Sequence, residues 1–181
     1  MILKKLAAVC KNENEVLLLD EEDGYQWAGT GSAIYKLEGL PTVSQTSLCT
    51  MLDIPPEKAA GMLVNQEKFP KRYQAREEYA AGTVLNFDRD ETNTYQRLTL
   101  LPCTGDGKVW LLRTKLLEPL ADSDALSLVA REDGAGKPYI EAWDGLFLAA
   151  ILMPIKHKQA MEWLRKLSEM EEGTKAERWQ A

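Results

Sequence analysis

Few stretches of this chain combine the residue types and spacings that catalysis or metal binding requires. The single histidine, His157, lies between two lysines and has no sequence neighbour that would orient it as a general base. Cys-x-x-Cys and His-x-x-x-His spacings are absent, which argues against a zinc site. The carboxylates of the acidic run 88–91 could hold a metal ion, but in a polar loop such groups are usually solvated. The sequence therefore predicts no enzyme, no metal site and no cofactor.

The segment TGDGK at 104–108 is the stretch that comes nearest to a phosphate-binding loop. It is shorter than a P-loop, Val109 rather than Ser or Thr follows its lysine, and strand-like runs flank it on both sides. An Asp-Gly pair between alternating apolar runs is typical of a hairpin turn, so we predict a turn at this point.

Contact with a nucleic acid is the chemistry suggested by KFPKRYQAR at 68–76. Phe69 and Tyr73 interleave with four cations, Lys68, Lys71, Arg72 and Arg76. Cations suit a phosphate backbone and aromatic rings suit stacked bases. The alternative, which we weigh more heavily, is an ordinary polar loop partly neutralised by Glu77 and Glu78.

Composition narrows the class of protein. The 181 residues are 45% hydrophobic and 28% charged, with a net charge of −6, which suits one globular domain and excludes a strongly basic nucleic-acid binder as a whole-chain description. A local basic patch remains compatible with that charge. Three separated cysteines predict core residues in a reducing compartment. No signal-peptide or membrane-spanning pattern is present, so we expect a cytoplasmic protein without a membrane partner.

The sequence pattern indicates two copies of one structural unit. The first copy reads as a helix over 3–10, strands at 15–22, 25–28 and 32–37, and an ending in Leu-Pro. The second copy reads as a short helix near 116–120, then strands at 125–133 and 138–143 and a final strand ending in Met-Pro. Gly31 and Gly145 are 114 positions apart, as are Leu3 and Leu117. A chance match of two unrelated segments is the alternative.

The remaining segments divide the chain further. A hairpin is predicted at 97–113, before the second helix. We predict one domain at 1–156, with half-repeats 1–41 and 97–156 and an insertion at 42–96. The insertion should hold two short helices followed by a polar, loop-like stretch over 65–95. An amphipathic C-terminal helix and tail are predicted at 157–181, where Trp163, Leu164 and Leu167 lie on an apolar stripe.

A helix followed by three strands, repeated within one domain that ends in Met-Pro, resembles the bacterial DNA sliding clamp. The stretches that carry the resemblance are LKKLAAVCKNENEVLLLDEEDGYQWAGTGSAIYKLEGLP and VWLLRTKLLEPLADSDALSLVAREDGAGKPYIEAWDGLFLAAILMPIK. The resemblance implies an α+β fold with two helices side by side on one face and two small sheets on the other. It departs from the family in having one clamp-like domain, no first strand in the first copy and an added C-terminal helix.

The resemblance also implies where contacts would lie. Clamp helices touch DNA phosphates through cations, and the matching positions are Lys4, Lys5, Lys11, Arg113 and Lys115. Clamps bind peptides of other replication proteins near their Met-Pro end, which matches Met153, Pro154 and Ile155. For any single cation, a solvated charge beside an apolar stripe is the alternative that we favour.

These patterns and the resemblance predict a non-enzymatic, clamp-like protein of DNA replication or its regulation. The small size of the chain also suggests a phage or mobile element as its source. The protein would bind duplex DNA or replication proteins, and a homo-oligomer could form through exposed sheet edges. The alternative is a protein-interaction module that reuses or mimics the clamp fold without touching DNA, with the last helix as a partner anchor. The net negative charge favours this alternative mildly.

Overall fold

The computed structural model describes residues 1–73, 82–95 and 98–155. In chain order its helices and strands are α1 (Leu3–Glu13), β1 (Glu15–Asp20), β2 (Gln26–Thr30), β3 (Ala33–Lys36), α2 (Gln45–Met51), α3 (Pro56–Ala59), β4 (Leu63–Lys68), β5 (Thr83–Leu85), β6 (Asn93–Tyr95), β7 (Leu98–Gly105), β8 (Lys108–Arg113), β9 (Leu126–Glu132), β10 (Pro138–Asp144) and β11 (Phe147–Leu152). Short 3₁₀ helices occur at Lys71–Tyr73, Thr114–Leu116 and Glu118–Leu120. The predicted α+β class is confirmed.

Six strands form the centre of a large mixed sheet, which we call the six-strand frame. The strands β1-β2-β3 form one antiparallel unit and β9-β10-β11 form another. The two units meet at their last strands, where β3 and β11 run antiparallel with Ile34 opposite Ile151. The strand order is therefore mirrored about the β3–β11 contact. The frame is one continuous sheet, whereas the resemblance implied two small ones.

Both edges of the six-strand frame are occupied by strands of the insertion. Strand β4 pairs parallel with β1, and β5 pairs antiparallel with β9, so the full order is β4-β1-β2-β3-β11-β10-β9-β5. The prediction of a loop over 65–95 is therefore wrong for β4, β5 and β6. Its polar sequence reflects edge strands, whose side chains are largely exposed and whose pairing depends on the neighbouring strand more than on propensity.

The second predicted helix is replaced by two successive 3₁₀ turns, Thr114–Leu116 and Glu118–Leu120, which we call the paired turns. Pro119 lacks an amide proton, and its ring blocks the carbonyl of a preceding helical turn, so a continuous α-helix is disfavoured there. Leu116, Leu117 and Leu120 are buried all the same. Their apolar spacing thus correctly predicted burial although the type of helix was wrong.

The large sheet has an apolar layer on each face. On one face α1, α2, the paired turns and the small sheet β6-β7-β8 cover a core that includes Leu6, Leu18 and Leu112. On the opposite face an aromatic row, Trp27, Phe69, Tyr73 and Tyr139, has successive ring centroids 5.1, 6.1 and 5.1 Å apart. The two short helices predicted in the insertion are confirmed as α2 and α3. The predicted C-terminal helix at 157–181 lies outside the described residues.

Candidate functional site

Helix α1 and the paired turns form a layer, which we call the helical layer. It brings together the cations to which the clamp resemblance assigned DNA contacts. The start of α1 lies against the paired turns, because the Ile2 amide donates to the Pro119 carbonyl over 2.8 Å. Lys5 extends across the same contact and its ammonium lies 3.0 Å from a carboxylate oxygen of Glu118. Helix α1 therefore contacts the paired turns at the place where the resemblance implied a second helix.

Three of the five helix-layer cations have a carboxylate partner. Besides Lys5, the Arg113 guanidinium lies 2.6 Å from Glu13. The Lys11 ammonium lies 3.9 Å from Asp53. Each pair removes net positive charge from the surface that would face a phosphate backbone. Within the described ranges, the remaining two cations, Lys4 and Lys115, are exposed and contact no carboxylate.

The basic and aromatic segment at 68–76 is not arranged for base stacking. Phe69 is 3% exposed and Tyr73 is 5% exposed, because both rings pack into the aromatic row. Lys68 and Lys71 are exposed at the surface. The Arg72 side chain and all of Arg76 lie outside the described residues. The predicted interleaving of available rings and cations is therefore wrong for the two rings.

The Met-Pro end is held by backbone hydrogen bonds to neighbouring segments. The Met153 amide donates to Ser32 and the Ile155 amide donates to Leu111, each over 2.9 Å. The Met153 sulfur accepts a 3.8 Å hydrogen bond from the Tyr73 hydroxyl, so its side chain joins the aromatic layer. Met153, Pro154 and Ile155 are half-buried and line neither of the clefts described below. The partner-helix candidates Trp163, Leu164 and Leu167 lie outside the described residues.

An apolar hairpin tip, formed by Leu146 and Phe147, is a surface that sequence reasoning missed. Leu146 is 90% exposed and Phe147 is 65% exposed, at the turn between β10 and β11. Gly145 has a φ of +60° at the first loop position, which a type II′ hairpin turn requires. The apolar run after Gly145 predicts a buried strand that includes both residues. The Asp144-Gly145 turn was the available signal, since the residues directly after it lie at the tip.

A cleft of about 200 Å³ adjoins the apolar hairpin tip. Phe147 forms part of its wall, together with Leu3, Leu40 and Leu120. Its charged lining holds the carboxylates of Glu38, Asp122 and Asp144 and two ammonium groups, that of Lys36 and the amino-terminal one of Met1, which lies 3.5 Å from Asp122. The cleft therefore has apolar walls and one more carboxylate than it has ammonium groups.

A second cleft, of about 360 Å³, lies where β5 and β9 approach the turn between β7 and β8. The Thr83 hydroxyl donates to Asp106 over 2.5 Å there. The turn itself is the hairpin predicted for TGDGK, with positive φ at Asp106 and Gly107. The exposed Thr83–Asp106 pair is the one hydroxyl–carboxylate contact of the described lining, which contains no His, Cys or Ser. Among residues 1–73, 82–95 and 98–155, no group of three His, Cys, Asp or Glu is placed to hold a metal ion.

The three cysteines are buried, and the burial suppresses their ionisation. Desolvation raises the pKa of the Cys10 thiol from 9.0 to about 12, and the nearby Glu13 carboxylate adds to the shift. Burial likewise raises the pKa of Cys103 from 9.0 to about 12 and raises that of Cys49. Reactive cysteines have lowered pKa values, so these thiols are structural.

Raising the pH from 8 to 10 is expected to destabilise the fold through these thiols. The unfolded chain releases its thiol protons near pH 9, whereas the folded chain retains them, so stability is full below pH 9 and falls as the pH approaches 12. Between pH 8 and pH 10, ionisation of Cys10 and of Cys103 in the unfolded chain should each lower the free energy of unfolding by about 1.4 kcal/mol. Urea unfolding at the two pH values measures this loss. The double variant Cys10→Ala/Cys103→Ala should lose about 3 kcal/mol less over the same interval, and an equal loss would contradict the assignment.

Comparisons with known proteins leave the chain without an assigned relative. No protein-family model, no curated protein and no solved structure matches it. Of the helices that the structure describes, none has the length and apolarity needed to cross a membrane.

Proposed function

We propose that this chain is a non-enzymatic protein-interaction module, built on a clamp-like frame, that acts in DNA replication or its regulation without touching DNA. The place in replication comes from the sequence resemblance to sliding clamps. The duplicated, clamp-like unit is supported by the mirrored order of β1-β2-β3 and β11-β10-β9. It is also supported by the contact of α1 with the paired turns on one face of that frame.

The observation that carries the proposal is the occupation of both frame edges by β4 and β5. A ring of clamp-like domains needs edges that pair with the next subunit, and in this chain its own strands take those positions. The new outer edges are poor templates for further pairing. Strand β4 ends in Gln66, Glu67 and Lys68, and β5 has three residues. A stand-alone module accounts for such edges better than a ring subunit does.

Charge on the helical layer supports the same proposal. Lys5, Lys11 and Arg113 lie beside Glu118, Asp53 and Glu13, so most of the cations that would contact phosphates are already neutralised. Phosphate contacts supply most of the affinity of a sequence-independent DNA binder. The overall charge of −6 also opposes association with a polyanion.

A second candidate function, non-specific DNA binding by the helical layer, is favoured by two residues. Lys4 on α1 and Lys115 in the paired turns are exposed and contact no carboxylate within the described ranges. These two cations could contact phosphates directly. Lys5, Lys11 and Arg113 would have to exchange their carboxylate partners for phosphates. This candidate requires that DNA compete successfully with three intramolecular ion pairs.

Fluorescence anisotropy of a labelled duplex distinguishes the two candidates. For the interaction module we expect no binding at physiological salt up to protein concentrations of about 100 μM, the weak end of non-specific DNA affinity. If the helical layer binds the duplex, the affinity should instead fall steeply as the salt concentration rises. In that case Lys4→Glu/Lys115→Glu should abolish it, whereas the control Lys137→Glu, on the turn between β9 and β10, should not. Salt-dependent binding with this variant pattern would overturn the proposal.

A further inference from the structure

Bulky apolar side chains at the apolar hairpin tip require an explanation that folding does not supply. Hairpin loops normally carry Gly, Asn or Asp, because those residues tolerate the backbone and the solvent. In this hairpin Leu146 occupies the second loop position and is 90% exposed. Its side chain contributes almost no buried area to the core. Contiguous exposed apolar groups of this kind are typical of interaction sites.

The apolar hairpin tip continues into the adjoining acidic cleft. Phe147 belongs to both, since its ring is 65% exposed and also lines the cleft. The volume of about 200 Å³ is below the usual range of small-ligand pockets. A cleft of this size suits one or two anchoring side chains of a partner better than a cofactor.

The charged groups around the cleft determine whether a positively or a negatively charged partner is favoured. Glu38, Asp122 and Asp144 are exposed carboxylates, and Asp144 keeps its second oxygen available while the first accepts from Ser123 over 2.7 Å. The single lysine of the lining, Lys36, is held 3.8 Å above the ring of Tyr25. Because the Met1 ammonium pairs with Asp122, the remaining excess is that of Glu38 and Asp144 over Lys36, which favours a cationic partner over an acidic one.

We infer that the apolar hairpin tip and the acidic cleft form a docking site for a peptide segment of another protein, one with a bulky apolar anchor flanked by Lys or Arg. The inference rests on the proposed function and specifies the partner of that module. The anchor fills the cleft against Leu40 and Leu120, Leu146 and Phe147 cover it, and the flanking cations pair with the carboxylates. Aromatic and aliphatic anchors surrounded by a polar rim are the usual arrangement of binding hot spots.

Selection from a displayed library of random peptides, followed by calorimetry with the synthetic form of an enriched peptide, tests the site. We expect enrichment of apolar residues flanked by Lys or Arg. Leu146→Ser/Phe147→Ser should weaken binding of that peptide at least about tenfold, because hot-spot side chains carry most of the binding energy. Glu38→Lys should weaken it as well, and added salt should raise the Kd. All three changed residues are exposed, so the thermal midpoint should stay the same.

The matched control is Val84→Ser, which removes an apolar side chain that is 54% exposed on edge strand β5 and is not part of the cleft lining. Its binding should equal that of the unaltered chain. Enriched peptides that bind the double variant unchanged would overturn the docking site and leave the interaction module standing. Enrichment of acidic peptides would overturn the charge argument. Failure to enrich any peptide, together with salt-dependent duplex binding, would overturn the module and the site together. A dimer that dissociates on Leu146→Ser/Phe147→Ser would replace the peptide with a second copy of this chain.

Discussion

Replacement of Glu141 by Leu is expected to lower the free energy of unfolding by about 3 kcal/mol. Glu141 lies on β10 with no exposed surface, and one of its carboxylate oxygens lies 2.7 Å from Nε of Arg131 on the neighbouring strand β9. The same oxygen accepts from the Trp143 indole over 3.1 Å. Removing the carboxylate leaves the Arg131 guanidinium, which is 8% exposed, without this ion partner.

The double variant Arg131→Met/Glu141→Leu should recover most of that loss. Replacing both partners of a buried ion pair by apolar groups of similar size is often neutral, because the cost of desolvating two charges disappears with them. Chemical denaturation of the two single variants and the double variant measures the coupling. Glu132→Leu, an exposed change on β9, should alter stability by less than about 0.5 kcal/mol. A neutral or stabilising Glu141→Leu would contradict the account.

Replacement of Gly29 by Ala is expected to cost at least about 3 kcal/mol, because overpacking against backbone cannot relax as a side chain does. A Cβ on Gly29 would overlap the carbonyl oxygen of Ala33 and lie 2.9 Å from the Cα of Ile34. Both belong to β3, which is held between β2 and β11 in the middle of the six-strand frame. The strand would have to move away from both neighbours to make room.

Thermal and urea unfolding of Gly29→Ala measure this cost directly. The matched control is Gly134→Ala, in the turn between β9 and β10, where an added Cβ meets nothing within 4 Å. That variant should keep the stability of the unaltered chain to within about 0.5 kcal/mol. A Gly29→Ala protein as stable as the control would mean that β2 and β3 are not paired in the register that sets Gly29 opposite Ile34.

Much of the frame could be predicted from local pattern. The helix α1 and the strands β1, β2 and β3 lie within a few residues of their predicted positions, because apolar periodicity and Asp-Gly turns are local signals. The hairpin β7–β8 is predictable for the same reason. Strand β4 is not, since its polar residues pair with β1 from about 50 positions away in sequence and no local pattern records that pairing.

The candidate site was harder to predict than the frame. The sequence identifies Lys5, Lys11 and Arg113 as candidate phosphate contacts, but their carboxylate partners come from other elements and only the fold reveals them. The burial of Phe69 and Tyr73 likewise depends on Trp27 and Tyr139, which lie on distant strands. The exposure of the apolar hairpin tip could not be predicted from the sequence, because apolar residues are normally assigned to the core.

The absolute mass of the protein in solution, measured by light scattering on a sizing column over a range of concentrations, tests the central claim most directly. With both frame edges occupied by β4 and β5, we predict a monomer of 20.4 kDa at every concentration. A closed multimer large enough to encircle duplex DNA would contradict the claim. It would show that the outer edges still pair between subunits and would make the ring-forming clamp the better account.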